Sequence, residues 1–372
     1  MTGGAMNKTT QTALLLVVAA ALIAAPFYLG AYSLTLLGRV LALSIAALGI
    51  CVVWGRTGIL SLGQGLFFGL GGYALAMHLK LAATAKGELP DFMVYNGVEN
   101  LPWFWKPFAS APFALAMVLI LPALAAGLVA WLMFRRRITG VYVSIITQAL
   151  VLAFVTWLNG SQGLTSGTNG ITDFQTFLGI DLRSSGAAGE AVTHGLYWVT
   201  LLILGVCMAG TNWLLRTHFG SLLTAIQGNE NRVRFLGYNP AAYKIAAFAF
   251  GGLLSGLSGA LYTVHLGTIS PAMIGVTFSI ELVVWVALGG RASIVGAVGG
   301  MVAGQLAKDK ISSAVPDAWL YIMGALFVLV VLVLPQGVAG LLNRRRAAGV
   351  AEVDTGRADL PLPSPSKTGE QA

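Results

Sequence analysis

The sequence has 372 residues, of which 56% are hydrophobic and only 10% are charged, and its mean hydropathy is +0.79. Soluble domains carry about a quarter charged residues, so this composition excludes a soluble globular protein and predicts an integral membrane protein. The formal net charge is +8, but the basic residues lie at the ends of apolar stretches, which is typical of topology signals and not of a nucleic-acid surface.

The predicted elements, in chain order, are membrane-spanning helices, each of which needs about 20 mostly apolar residues. Eight stretches meet this requirement: residues 13–31, 34–54, 60–82, 111–134, 141–158, 194–215, 245–265 and 320–342. Residues 278–288 and 292–307 are shorter apolar pieces separated by Gly289, Gly290 and Arg291, which predicts two short or broken helices. The fold class is therefore an all-α polytopic membrane protein with about ten transmembrane helices.

The first apolar stretch has a second interpretation. Lys8, the apolar run after it and the small residues before Pro26 also resemble a secretory signal. Its small-residue cleavage site is poor and Pro26 interrupts it. Removal of this segment would leave the parity of the other nine spans unchanged.

Lys and Arg in short loops predict the orientation. They follow the fourth span as Arg135, Arg136 and Arg137, they flank the connection 216–244, and they follow the last span. These ends are expected in the cytoplasm, which places residues 1–12 and the termini there and the loops 84–108 and 159–193 in the periplasm. Residues 13–342 form the transmembrane domain, and the Pro- and Ser-rich tail 343–372 is predicted to be disordered and cytoplasmic.

The motifs of several enzyme classes are absent from the sequence. It contains no H-E-x-x-H, C-x-x-C, G-x-S-x-G or G-x-x-x-x-G-K-[ST] motif, so metal hydrolysis, thiol redox, nucleophile-elbow and nucleotide-binding chemistry lack their minimum parts. The 4 histidines are scattered over different segments, so no metal site is predicted. We expect no enzyme and no cofactor on this chain; if ATP drives transport, ATP and Mg²⁺ are used by separate subunits.

Polar residues inside predicted spans are functional candidates by default, although they also serve as interhelical hydrogen-bond partners. In the predicted span 60–82, Ser61 and Gln64 are three residues apart and Phe68 follows four residues later. The candidate residues for a solute path are Ser61, Gln64, Phe67, Phe68, Tyr73 and Glu281.

Glu281 is the only acidic residue between positions 245 and 307. One interpretation places it in the first turn of a helix capped by Ser279 or Thr277, where it complements the helix dipole. The other places it at the outer mouth of a solute path. The absence of a chain of intramembrane Asp, Glu and His residues argues against a proton-coupled carrier.

The connection 216–244 has helical periodicity in two short pieces. Leu222, Leu223 and Ile226 follow helical spacing, a polar turn follows at residues 228–231, and Val233 and Leu236 resume the spacing. Gly237 and Pro240 then end it. An apolar stripe on a cytoplasmic helix without a core of its own implies a docking partner or the membrane surface.

This connection resembles the coupling-helix region of the permease subunits of ATP-binding-cassette importers for branched-chain amino acids. The resemblance extends to LSLGQGLFFGLGGY at 60–73, GLTSGTNGI at 163–171 and LGGRASIVG at 288–296, and it covers residues 34–342. Within that family, LPDFMVY at 89–95 and LPWFWKP at 101–107 resemble the second permease subunit of the urea importer.

The resemblance implies a bacterial inner-membrane permease that forms half of a translocation pathway. Its implied partners are a homologous permease subunit, two ATPase subunits and a periplasmic substrate-binding protein. The ATPase-coupling residues that it implies are Thr224, Gln227, Glu230, Asn231, Arg232, Leu236 and Gly237. The expected solute is urea, because of the resemblance at residues 89–95 and 101–107 and because scarce intramembrane charge slightly favours a neutral solute. Branched-chain amino acids are the alternative, and a stand-alone secondary carrier or a channel is a further alternative.

Overall fold

The computed structural model describes residues 20–85, 88–173, 176–177, 180–181, 187–315, 319–333, 337–338 and 340. The predictions for residues 1–12 and for the tail 343–372 lie outside the described residues. The same holds for residues 13–19, the first part of the segment that has the secretory-signal alternative.

The described residues are mostly helical. The helices are α1 (residues 20–28), α2 (Ala31–Thr57), α3 (Gln64–Ala83), α4 (Asp91–Tyr95), α5 (Ala111–Arg135), α6 (Val141–Gly160), α7 (Gln162–Thr165), α8 (Ala187–Arg216), α9 (His218–Gly228), α10 (Glu230–Phe235), α11 (Pro240–Leu266), α12 (Val276–Gly289), α13 (Ile294–Ala314) and α14 (Trp319–Val333). Short 3-10 turns lie at Lys106–Ala109, Gly167–Asn169 and Pro271–Ile274.

Seven segments of the described residues are long and apolar enough to cross a membrane. They are Ala31–Thr57, Gln64–Ala83, Ala111–Arg135, Val141–Gly160, Ala188–Arg216, Pro240–Leu266 and Pro271–Gly289. This confirms the all-α polytopic fold class. The total of ten spans, the position of the termini and the side of each loop stay predictions.

Several predicted boundaries are wrong. The span expected from residue 60 begins as a helix only at Gln64, because Gly58 takes a left-handed conformation (φ 73°) that ends α2 and the next residues are not helical. Helix α8 begins at Ala187, inside the predicted loop 159–193. Helix α11 begins at Pro240, inside the predicted connection 216–244, because the Asn239 side chain accepts a hydrogen bond from the Ala241 backbone N–H and caps the helix.

The centre of the bundle is helix α11, which packs most extensively against α5, α2 and α3. Glycines allow this close approach, since a Cβ on Gly71 of α3 would collide with the carbonyl of Gly256, and one on Gly259 would collide with the carbonyl of Phe68. Helices α3 and α11 therefore touch backbone to backbone.

The predicted break near residue 290 is confirmed. Helix α12 ends at Gly289, Gly290 has a φ of 122°, and α13 begins at Ile294 with the hydroxyl of Ser293 accepting from the Gly296 N–H at 3.1 Å. The expectation of two short pieces is right for α12, which has 14 residues, and wrong for α13, which has 21.

Two small antiparallel ladders lie in the loops. Strand β1 (Ile171–Thr172) pairs with β4 (Thr268–Ile269), and β2 (Thr176–Phe177) pairs with β3 (Ile180–Asp181). The first ladder joins the segment after α7 to the segment after α11, and a Cβ on Gly72 of α3 would collide with the side chain of Ile269. The chain between α11 and α12 thus enters the bundle beside α3.

Candidate functional site

The first site feature is the non-helical segment at residues 58–63, which joins α2 to α3. Four hydroxyl side chains bond to its backbone. Ser144 donates to the Leu60 carbonyl at 2.8 Å and Thr147 accepts from the Leu62 N–H at 3.1 Å. Thr57 accepts from the Ile59 N–H and Ser61 from the Gly63 N–H, both at 3.3 Å. Non-helical backbone at membrane depth is tolerated where protein surrounds it and such partners exist. Ser61 therefore lies before the helix, and the prediction that it shares a helix face with Gln64 is wrong.

Gln64 begins helix α3 and is buried, with 2% of its surface exposed. Its Oε1 accepts a hydrogen bond from the Ser255 hydroxyl of α11 at 2.5 Å. The next residue, Gly65, donates its backbone N–H to the hydroxyl of Ser279 in α12 at 3.0 Å. The start of α3 is thus bonded to both α11 and α12.

The aromatic candidates on α3 are buried as well. Phe68 contacts Phe278 with ring centroids 4.7 Å apart and Tyr262 at 5.5 Å, and Phe67 is 2% exposed. The Tyr73 hydroxyl is buried and makes no hydrogen bond within the described part of the chain. These rings form packing contacts in this conformation, and the structure does not bring Tyr73 to the hydroxyl groups around Gln64.

Glu281 lies in the second turn of α12, since the helix begins at Val276, so the first-turn interpretation is wrong. Both carboxylate oxygens accept from the Lys308 ammonium of α13 at 2.8 Å, and Oε1 also accepts from the Trp285 Nε1–H at 3.3 Å. The side chain of Glu281 is 5% exposed and that of Lys308 is 28% exposed. The interior of the described bundle therefore contains Glu281 as one partner of an ion pair.

Helices α9 and α10 form the predicted coupling region, and the prediction of two short helices is confirmed. The polar turn is shorter than expected: it consists of Asn229, whose side chain accepts from the Arg232 N–H at 3.1 Å, so that Glu230 and Asn231 belong to α10. Of the predicted residues, Thr224, Gln227, Asn231, Arg232, Leu236 and Gly237 are exposed and Glu230 is half-buried.

The apolar stripe of these helices packs inside the chain. Leu223 contacts Val52 of α2 and Ala247 of α11, and Leu222, Ile226 and Val233 form a cluster. The argument that this stripe has no core of its own is therefore wrong. The apolar surface that does remain exposed is at the end of α10, where Phe235 is 90% and Leu236 is 76% exposed.

Glu230 connects α10 to neighbouring charges. It forms ion pairs with Arg234 on the same helix and with Lys244 of α11, whose side chain is only 5% exposed. Glu230 is thus an ion-pair partner within α10 and not part of the turn, and its role in coupling stays a prediction.

Sequence reasoning missed several residues of the site. They are Ser144, Thr147 and Ser255, which bond to the segment around Gln64, together with Lys308 and Phe235. Ser279 was considered only as a helix cap and not as the hydrogen-bond partner of Gly65. Ser144 and Thr147 are three residues apart on one predicted helix, a spacing that places two hydroxyls on one face and was available as a signal. No cluster of three or more His, Cys, Asp or Glu residues that could hold a metal occurs in the described ranges.

Comparison with known proteins agrees with this architecture. Residues 32–331 match the family described as branched-chain amino acid transport system / permease component. The chain belongs to this family. No solved structure matches it.

Individual relatives are distant but cover much of the chain. It is 26% identical over 337 residues to the high-affinity branched-chain amino acid transport system permease protein LivM of Salmonella typhimurium, covering 85% of this chain and 72% of the relative. It is 24% identical to the probable branched-chain amino acid transport permease protein LivM of Methanocaldococcus jannaschii, covering 79% of this chain and 94% of the relative. A shorter match, 33% identical over 141 residues, is to the xylose transport system permease protein XylH of Escherichia coli, covering 36% and 35%.

The family match shows that this chain is a permease component of a transport system. Together with its apolar helices, it shows that the chain is a multi-pass membrane protein. The relatives are permease subunits, not enzymes, and this chain is likewise not an enzyme. The expectation of a permease is confirmed. The narrower resemblance to the urea importer stays a prediction.

Proposed function

We propose that the chain forms half of the membrane pathway of an ATP-driven importer of branched-chain amino acids in the bacterial inner membrane. Two ATPase subunits drive it, a homologous permease subunit supplies the other half, and a periplasmic binding protein delivers the solute. The family match over residues 32–331 is the observation that carries the proposal. The missing G-x-x-x-x-G-K-[ST] motif supports a separate ATPase.

The coupling surface in this proposal is the exposed end of α10. Phe235 and Leu236 are large apolar residues exposed beside Arg232 and Arg234, a combination of apolar and charged groups that suits a protein partner. Helix α9 next to it contacts α2 and α11, so a partner that moves α10 would also displace the bundle. No covalent chemistry is required of this chain; it alternates between conformations open to either side.

Branched-chain amino acids replace urea as the leading solute for two reasons. The full-length relatives carry that solute class in their names. In addition, the Glu281–Lys308 pair places complementary charges beside α12, which weakens the preference for a neutral solute. Urea remains the second candidate because of the sequence resemblance at residues 89–95 and 101–107, and uptake of both solutes separates them.

Co-purification tests the coupling to an ATPase. Leu236→Asp places a charge on the proposed contact and should strongly reduce the amount of ATPase recovered per permease, because an unpaired charge in an apolar interface is unfavourable. Trp103→Asp is the matched control, since Trp103 is 81% exposed and lies in the loop 84–108, away from α10. Equal recovery from both variants would contradict the docking surface, and uptake without any ATPase would favour a secondary carrier or a channel.

A further inference from the structure

The pair Glu281–Lys308 joins α12, which lies in a candidate membrane span, to α13. Arg291 follows the end of α12 and touches α2 near its end, since a Cβ on Gly55 would collide with the Arg291 carbonyl. Glu281 is eight residues before Gly289, which is about 12 Å along the axis of α12. A charged pair at this depth is expensive and, in membrane proteins, is a functional candidate by default.

Packing of α12 on α13 does not require this pair. Gly289 and Gly300 bring the two backbones into direct contact, and Gly304 accommodates the ring of Trp285. Replacement of a buried ion pair by apolar residues of similar volume is often neutral or stabilising, so helix packing alone does not explain two charges here. The Lys308 side chain is also partly accessible, because 28% of its surface is exposed.

The groups around the pair match one class of solute. Glu281 offers a carboxylate for an ammonium group, and Lys308 offers an ammonium for a carboxylate. The buried indole of Trp285 donates to Glu281 and stacks on the half-buried Trp319 with centroids 6.4 Å apart, so an aromatic pair adjoins the charges. An amino acid with an apolar side chain carries the complementary charges and the complementary apolar group.

We propose that Glu281 and Lys308 form a transient binding site for zwitterionic amino acids, in which each residue exchanges its partner in the pair for one charged group of the solute. This site rests on the proposed function, because it requires that the chain moves amino acids. It gives the path a specificity for zwitterions, whereas a neutral solute such as urea cannot replace either partner of the pair.

The test uses the full importer with its partner subunits, reconstituted in vesicles. Glu281→Gln with Lys308→Met removes both charges and keeps similar volumes, so the complex should assemble with a melting temperature close to that of the unmodified complex. Leucine uptake per assembled complex should fall at least tenfold. The single variant Glu281→Gln should be less stable than the double variant, because it leaves the Lys308 ammonium unpaired.

The matched control is the ion pair Lys80–Asp91, which joins α3 to α4. Lys80→Met with Asp91→Asn should keep leucine uptake within about twofold, since it removes both charges of a pair on other helices and leaves neither partner unpaired. Unchanged leucine uptake in the Glu281 and Lys308 double variant, or failure of that variant to assemble, would overturn the solute site and leave a structural ion pair. If the unmodified complex moves no leucine, the proposed function itself fails, and this result is distinct from both others.

A second readout uses solute analogues on the purified complex without the binding protein. Leucine should raise the melting temperature of the unmodified complex, whereas leucinamide, which lacks the carboxylate, and 4-methylpentanoate, which lacks the ammonium, should raise it less. The double variant should lose this difference. Equal effects of all three compounds on the unmodified complex would overturn the assignment.

Discussion

The side chain of Gln227 lies against Gly58: a Cβ on Gly58 would be 3.2 Å from the Cγ of Gln227. Gln227 belongs to α9, and Gly58 is the left-handed residue at which α2 ends and the non-helical segment 58–63 begins. That segment leads directly to Gln64. We therefore predict that a displacement of α9 is transmitted through this contact to the polar groups at the start of α3.

Removal of this contact should uncouple ATP hydrolysis from transport. Gln227→Ala leaves helix α9 intact, because alanine is a good helix former and Gln227 is exposed, but it leaves a gap next to Gly58. We expect normal assembly and ATPase activity with uptake reduced about tenfold, which equals about 1.4 kcal/mol of lost coupling. ATPase activity and uptake are measured on the same vesicles. Ser221→Ala on the same helix is the control, and equal uptake in both variants would contradict the transmission contact.

The hydrogen bond between Gln64 and Ser255 supports a second prediction. Gln64→Leu leaves the Ser255 hydroxyl without its acceptor and should lower the free energy of unfolding by about 0.6 kcal/mol, and at most about 1.7 kcal/mol. Adding Ser255→Ala should recover part of this loss, because both partners are then apolar. Melting temperature in detergent measures the change.

Measurements of uptake distinguish two roles of Gln64: an interhelical hydrogen-bond partner or a residue that lines the solute path. If Gln64 lines the path, uptake per assembled complex should fall in Gln64→Leu and stay low in the double variant with Ser255→Ala, although stability recovers. Normalised uptake equal to that of the unmodified protein would remove Gln64 from the candidate path and leave it as an interhelical hydrogen-bond partner.

The apolar lengths in the sequence predicted most helices well, because a span depends on about 20 consecutive residues. The break after Gly289 was predictable too, since two glycines interrupt the apolar run. The non-helical segment before Gln64 was not, because its backbone is satisfied by Ser144 and Thr147, which are more than 80 residues away in the chain.

Local periodicity also could not identify what covers an apolar stripe. The spacing of Leu223 and Ile226 gave the correct helix face, but the same pattern is expected whether the stripe packs on a partner or on the chain's own helices α2 and α11. The partner of Glu281 was hidden for a similar reason: Lys308 is 27 residues further on, across the turn between α12 and α13.

Glu230 supports a prediction on stability. Glu230→Gln removes the carboxylate that pairs with the nearly buried Lys244 ammonium, and an unpaired buried charge is unfavourable, so the free energy of unfolding should fall by about 1–3 kcal/mol. Arg234→Gln removes only the more exposed partner of Glu230 and should cost less than about 0.5 kcal/mol. Melting temperatures of the two variants measure the difference, and equal losses would contradict the structural role of Lys244.

The ion pair between Asp91 and Lys80 leads us to predict a small pH dependence of the protein's stability. The hydrogen bond from the Lys80 side chain holds the pKa of the Asp91 carboxyl below its usual range. A carboxyl with a depressed pKa in the folded state stabilises above its unfolded pKa of about 4 and loses that stabilisation as the pH falls through the folded value. Because the Asp91 side chain is 61% exposed, the effect should be below about 1 kcal/mol. The melting temperature of Asp91→Asn should therefore fall less between pH 4 and lower pH than that of the unmodified protein. An identical pH dependence of the melting temperature in both proteins would contradict the ion pair.

Cysteine labelling tests the proposed orientation. In a background with Cys51→Ala and Cys207→Ala, Tyr95→Cys should react with an impermeant reagent from the periplasm and Asn231→Cys should not, since both positions are exposed at ends predicted to lie on opposite sides. Gly170 in the loop 159–193 is unsuitable, because its φ is 72° and a Cβ there would collide with the Ile269 carbonyl. The reverse labelling would contradict the ten-span topology.

Uptake of labelled leucine and labelled urea into vesicles that contain this permease, its homologous partner and the ATPase subunits tests the central claim most directly. With the binding protein and ATP supplied on their proposed sides, leucine should accumulate against its gradient only when ATP is hydrolysed, and urea should equilibrate no faster than in vesicles without the complex. ATP-dependent accumulation of urea without leucine, or leucine entry that does not depend on ATP, would contradict the account.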